Sequence, residues 1–223
     1  MKVLEAGEVL GSGGYGCVLS YGPGEIAKFN FGDPSYYEFG MTDEEHLALQ
    51  RRIRALDPDE HYFVTTKEIR TVNIKDLPAQ VQTDIEKCRQ DFYDRISDNA
   101  ESARRRLRRS DTVNLYIQNR ADRRKPLGSW TSDDFRHVYE GLQILHANGI
   151  THGDIALINF AKKNGKPVYI DFDLSSTAQN PKFDWNEGRP ILRLDRTFTK
   201  DLNMLREIFR FYVETYVEPP RED

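Results

Sequence analysis

Two linked segments constrain this chain more than anything else in it: Thr151-His152-Gly153-Asp154-Ile155-Ala156-Leu157-Ile158-Asn159, and Tyr169-Ile170-Asp171-Phe172-Asp173. They set an aspartate, an asparagine five positions on, and a second aspartate at the end of an apolar run. Transfer of a phosphoryl group from a metal-bound nucleotide needs a carboxylate to take the proton of the attacking hydroxyl. It also needs amide and carboxylate oxygens to hold Mg²⁺ on the phosphates. Asp154, Asn159 and Asp171 are groups of those kinds. The segment before them reads as the clearest helix of the chain. Thr131 and Asp134 have capping-box spacing, Phe135, Val138, Leu142 and Leu145 form an apolar stripe, and Asn148-Gly149 supplies a stop.

A second group of residues lies near the N-terminus. Gly11-Ser12-Gly13-Gly14-Tyr15-Gly16-Cys17-Val18 reads as G-x-G-x-x-G-x-V, between the apolar stretches Val9-Leu10 and Cys17-Val18-Leu19. Glycines at such a place let the backbone approach phosphate oxygens and adopt positive φ, which side chains would obstruct. The same pattern opens dinucleotide-binding βα units, but there a helix must follow. Here another strand and a turn at Gly22-Pro23-Gly24 follow, so a β-hairpin is expected. Ile26-Ala27-Lys28-Phe29 then makes a third strand that carries a lysine.

Taken in order, these motifs resemble the protein-kinase-like superfamily over nearly the whole chain. The glycine stretch is similar to its phosphate-covering loop, and Ile26-Ala27-Lys28 to V-A-I-K. The segment His152 to Asn159 resembles H-R-D-L-x-x-x-N, and Asp171-Phe172-Asp173 resembles D-F-G. Two residues depart from the pattern: Gly153 stands for the arginine and Asp173 for the last glycine. The resemblance implies an α+β, two-lobed kinase-like fold with a small antiparallel-sheet N-lobe of five strands and a truncated, mainly helical C-lobe. A single domain over residues 1–223 is expected, the N-lobe at about 1–119 and the C-lobe at about 120–223. After Asp171 only 52 residues remain and no A-P-E follows, so the chain resembles a minimal kinase. The helix end at Asp57-Pro58-Asp59, followed by the aromatic extended segment His61-Tyr62-Phe63-Val64, is similar to serine/threonine kinases of large DNA viruses.

By that resemblance, Gly11, Gly13, Gly16 and Val18 would cover a bound nucleotide, and Lys28 would neutralise its α/β-phosphate oxygens. Glu44 and Glu45 are candidates to orient the lysine, Glu45 favoured because Leu49 lies one turn beyond it. The alternative for either is an exposed acid favoured by the helix dipole. The backbone near Gln118 and Asn119 would meet adenine at the interlobe hinge. Asp154 would be the catalytic base, Asn159 and Asp171 the ligands of Mg²⁺ or Mn²⁺, and His152 a structural support. Asp201 would brace the catalytic loop from a later helix, unless it merely caps that helix. The implied function is ATP-dependent transfer of the γ-phosphate to a protein serine or threonine. Two alternatives are a small-molecule kinase of the aminoglycoside or choline phosphotransferase type, since H-G-D also occurs there, and a pseudokinase scaffold marked by Asp173. ATP with Mg²⁺ is the expected cofactor and a protein the expected substrate.

Elsewhere, Thr42–Leu56 reads as a helix with Thr42 at its cap, and Thr112–Ile117 as a strand. Residues 74–110 exceed what the family needs there. They have helical character around Val81, Ile85, Cys88 and Phe92, and they end in the basic run Arg104-Arg105-Arg106-Leu107-Arg108-Arg109. That run is either a solvated face or a dock for an acidic partner, nucleic acid or an anionic membrane. Residues 175–198 would be the activation segment.

Composition sets limits on these readings. With 223 residues, 38% hydrophobic and 30% charged, the chain has the makeup of a soluble globular domain. The net charge of −4 supplies no overall basic field, which argues against nucleic acid as the main partner. No apolar run is long enough to span a bilayer and the N-terminus lacks a signal-peptide core, so an intracellular, cytoplasmic setting is expected, in a host cell or virion if the source is viral. Two cysteines without metal-ligand spacing fit a reducing compartment.

Overall fold

A computed structural model of the chain describes residues 9–13, 16–30, 43–95, 111–122, 125–177, 183–184, 189–190 and 194–217. The fold is mixed α/β with small antiparallel sheets. It has two compact units, Met1–Ala48 with Thr66–Arg120, and Leu49–Thr65 with Ala121–Asp223.

The first unit is built on strands β1 (Val9–Gly13), β2 (Gly16–Ser20), β3 (Glu25–Asn30), β4 (Thr66–Asn73) and β5 (Thr112–Asn119). They form one antiparallel sheet in the order β1-β2-β3-β5-β4. The expected turn between β2 and β3 is present, with Gly22 and Gly24 at φ 66° and 73°. Because side chains alternate across a strand, Cys17, Leu19, Ala27, Phe29, Leu115 and Ile117 share one face, and all are buried. That face is covered by helix α2 (Ala79–Arg95), whose Val81, Ile85 and Cys88 fall one helical turn apart. The residues between β4 and β5 therefore do more than lengthen a connection, since this helix completes the core of the sheet. Burial of residues such as Ile85 stabilises by about 1.5 to 3 kcal/mol each. The basic run Arg104–Arg109 and Thr42 lie outside the described residues. Helix α1 (Asp43–Leu56) begins against β5, where Asp43 accepts hydrogen bonds from Asn114 Nδ2 at 2.7 Å and the Tyr116 hydroxyl at 2.9 Å.

In the second unit Asp57 ends α1 and then organises the chain after it. Its carboxylate accepts from the backbone N–H groups of His61 (2.9 Å), Tyr62 (2.6 Å) and Phe63 (2.9 Å). The extended segment expected from His61 makes only single links, such as Val64 N–H to Tyr169 O at 2.9 Å; regular strand pairing starts later, at Thr66. Helix α3 (Ser132–Ala147) carries the expected capping box: Thr131 Oγ1 accepts from the Asp134 N–H, and the Asp134 carboxylate accepts from the Thr131 N–H. Its stripe Phe135, Val138, Leu142 and Leu145 is buried as expected. After α3 come β6 (Ile150–Thr151), the hairpin β7 (Phe160–Lys163) and β8 (Lys166–Tyr169), and β9 (Ser176–Thr177), which pairs with β6. The short pair β10 (Phe183–Asp184) and β11 (Arg189–Pro190) precedes helix α4 (Leu194–Tyr216). That helix starts inside the stretch expected to be activation segment, so Asp201 sits within it and is not its N-cap. Among the described residues no helix is long and apolar enough to cross a membrane.

Candidate functional site

In the first unit the candidate nucleotide-binding residues fall in one row across the sheet. Gly11 pairs with Val18, Val18 with Lys28, and Lys28 with Tyr116. Directly paired residues lie on the same face, so Val18 and Lys28 share the face opposite the α2-covered core. A bulge at Leu10 precedes Gly11, and Gly13 pairs with Gly16 at the end of the hairpin, whose tip residues 14 and 15 are not among those described. Tyr116 ties this face to α1 through its bond to Asp43 and an edge-on contact with His46, ring centroids 5.5 Å apart. Lys28 is half-buried, and Glu45 lies in the exposed first turn of α1 beside Glu44. Gln118 and Asn119 are the last residues of β5 and pair with Ile26 and Glu25. Tyr116 and Asp43 did not stand out in the sequence, because a strand tyrosine and a helix-start aspartate are ordinary in both roles.

In the second unit the loop from β6 to β7 carries Asp154 and Asn159. Asn159 Nδ2 donates to both the backbone carbonyl of Asp154 (2.8 Å) and its Oδ2 (2.7 Å). This uses the amide nitrogen to fix Asp154 and leaves the amide oxygen as the group suited to a hard cation. Ile170 N–H donates to Asn159 O at 3.0 Å, which brings the residue preceding Asp171 onto the same loop. Asp171 is half-buried and left-handed, at φ 63° and ψ 68°. For a residue with a Cβ this conformation costs about 1 to 2 kcal/mol, and such strain gathers at functional positions.

The scaffold under these groups is buried. His152 is fully buried, its Nε2–H donating to Ile170 O at 3.1 Å while Nδ1 accepts from Asp154 N–H at 3.3 Å. Both ring nitrogens are used in the neutral form, and burial lowers the His152 pKa against the opposing pull of Asp201. Asp201, wholly buried in α4, accepts from His152 N–H (2.8 Å) and Gly153 N–H (2.9 Å), one on each oxygen, and contacts His146 Nε2 at 3.1 Å. It therefore holds the loop from beneath, as expected. Phe172 is buried against His152 and Phe63, with ring centroids 4.9 and 5.9 Å away.

The two departures from the motif have local physical accounts. Gly153 has φ +82°, and a Cβ there would lie 2.2 Å from the carbonyl oxygen of Leu174. No larger residue fits without moving backbone. Asp173, in the short turn Phe172–Leu174, has no positive φ, so a side chain there costs no backbone strain. Beyond this turn, Ser175 Oγ donates to His152 O at 3.1 Å and Ser176 Oγ meets Thr151 Oγ1 at 2.7 Å. Ser175, Ser176 and Thr177 are all buried, which spacing alone did not reveal. Among the described residues no group of three or more His, Cys, Asp or Glu side chains is placed to hold a metal ion. No protein-family model matches this chain, and no curated protein matches it closely enough to count as a relative.

Proposed function

We propose that this chain is an ATP-dependent phosphotransferase of the two-lobed protein-kinase-like kind that transfers the γ-phosphoryl group to a protein serine or threonine. The observation that carries the reading is the cluster in which Asn159 fixes Asp154 by two bonds and is joined through Ile170 to the strained Asp171. Asp154, held at its carboxylate and its carbonyl, would take the proton of the attacking hydroxyl. Asn159 Oδ1 and the Asp171 carboxylate are hard oxygen donors. Their chemistry fits Mg²⁺ or Mn²⁺, which takes few protein ligands and completes its shell with phosphate oxygens and water. When bound, the ion would neutralise charge developing on the phosphates. Gly11, Gly13, Gly16 and Val18 would cover the nucleotide, and Lys28, on the same sheet face as Val18, would offset its α/β-phosphate charge. Glu45 would orient Lys28, and the backbone at Gln118 and Asn119 would meet the adenine. Asp201 and His152 would act through the loop backbone, as positioning residues.

The test is transfer from radiolabelled ATP with Mg²⁺ into cell extract, with protein and small-molecule fractions counted separately. Protein labelling that Lys28→Met, Asp154→Asn and Asp171→Asn each abolish is the expected result, the general base alone giving about 10² to 10⁴-fold. Asp154→Asn keeps an oxygen for Asn159 to bond and so should leave the fold intact. Label confined to small molecules assigns the acceptor class to metabolites. No transfer, together with no ATP binding, overturns the reading.

A further inference from the structure

The chain has two cysteines, far apart in sequence, and the fold brings them together. Cys17 follows Gly16 on β2 and is fully buried; Cys88 is on the sheet-facing side of α2 and half-buried. Cys17 belongs to the buried apolar cluster under the sheet and Cys88 packs against that same cluster, which places the two thiols in one part of the core. We propose that Cys17 and Cys88 are a redox pair that forms a reversible disulfide, tying the glycine-rich hairpin to helix α2.

The chemistry balances with a peroxide as oxidant. Cys88, the more accessible thiol, attacks one peroxide oxygen as its thiolate, breaking the O–O bond and releasing hydroxide to leave a sulfenic acid. The sulfur of Cys17 then attacks the Cys88 sulfur. The S–S bond forms, the S–O bond breaks, and the hydroxyl leaves as water with the proton of Cys17. Each sulfur gives up one electron and the peroxide is reduced by two. A dithiol reverses the change by exchange. Burial in the core, with Cys88 adding to it, pushes the Cys17 thiol well above the ordinary range. Closure needs Cys17 to give up its proton, so it quickens as pH rises. Proximity makes closure unimolecular, which offsets part of that handicap.

The test uses the full chain, treated with hydrogen peroxide at pH 7 and pH 8.5 and analysed by intact mass and peptide mapping. The expected product is a monomer lighter by two hydrogens, with Cys17 and Cys88 peptides linked, restored by dithiothreitol and formed faster at the higher pH. Cys88→Ser should leave Cys17 reduced. Cys17→Ala should leave a Cys88 sulfenic acid that dimedone traps. Retention of both free thiols, or disulfides only between chains, overturns the proposal. The pair does not rest on the phosphotransferase reading, but its effect on nucleotide does. If the hairpin holds ATP, oxidised and reduced protein should differ several-fold in ATP affinity. A disulfide that forms in protein binding no ATP in either state supports the redox pair and counts against the phosphotransferase reading.

Discussion

Replacing Gly153 by alanine should destabilise the second unit far more than the same change at Gly165, although both glycines have φ +82°. A Cβ at Gly165 meets nothing within 4 Å, so Gly165→Ala carries the left-handed strain alone, about 1 to 2 kcal/mol. At Gly153 the added carbon would lie 2.2 Å from Leu174 O and 3.0 Å from Leu174 C, both backbone atoms. Ordinary contact near about 3.5 Å requires a shift of more than about 1 Å. Movement of that size breaks either Gly153 N–H to Asp201 (2.9 Å) or Ser175 Oγ to His152 O (3.1 Å). Stranding one buried partner costs about 1 to 3 kcal/mol. The loss of unfolded-state freedom offsets about 0.4 to 1 kcal/mol of this equally in both variants. Gly153→Ala should therefore unfold at lower urea than Gly165→Ala, by the equivalent of about 1 to 3 kcal/mol at constant slope. Equal midpoints for the two variants would refute the steric account and leave only the backbone conformation.

Asp201→Asn offers one oxygen where two backbone N–H groups need one each, so it should cost about 1 to 3 kcal/mol and raise amide exchange at His152 and Gly153; unchanged exchange there removes its bracing role. Burial holds the His152 pKa below the ordinary value of about 6.5, so the unfolded chain binds its proton first as pH falls. Its contribution is thus fully retained above about pH 6.5 and lost below it; a ring resonance of His152 titrating at the ordinary value in the folded protein counts against this. Ser176→Ala should lose about 1 kcal/mol by removing the 2.7 Å bond to Thr151 Oγ1, which keeps only its longer bond to the Ser176 carbonyl, read by thermal melting. Because Gly153 has no side chain to grip a phosphate, and Ser175, Ser176 and Thr177 are buried, transfer should not need phosphorylation of these residues or of Thr197. Full transfer by protein whose intact mass shows no phosphate is the expected result; transfer only by a phosphorylated form shows that another residue makes that grip. Changing the arginines of Arg104–Arg109 to glutamine should leave transfer to a generic peptide near wild type and weaken a salt-sensitive association with an acidic partner; binding unchanged by salt and by the substitution returns this run to a solvated face.

Elements whose signals are local were legible from the residues alone. The capping box at Thr131 and Asp134, the stripe from Phe135 to Leu145, the glycine turn at Gly22 to Gly24 and strand β5 appear where expected. So does the bracing of the loop by Asp201, which rests on a motif and not on periodicity. What was not legible is what distant segments do to one another. The pairing of β6 with β9 depends on two residues from each strand, too short for any alternation to announce. The requirement for glycine at position 153 comes from a carbonyl 21 positions later, and nothing nearby in the chain encodes it. Helix α4 starts at Leu194, inside the stretch to Phe198 that reads as activation segment, and Phe198 there meets the His146 ring at 4.5 Å, a contact that nothing nearby in the chain encodes.

Helix α2 comes from the stretch least like any familiar pattern, the natural choice for removal by anyone seeking a smaller version of this chain. Its Val81, Ile85 and Cys88, with Leu77 just before it, are, however, what keeps Cys17, Leu19, Phe29, Leu115 and Ile117 out of water. A shortened chain joining β4 directly to β5 would present that apolar face to solvent. Such a surface self-associates, so the trimmed protein should be lost to aggregation before its chemistry could be assayed.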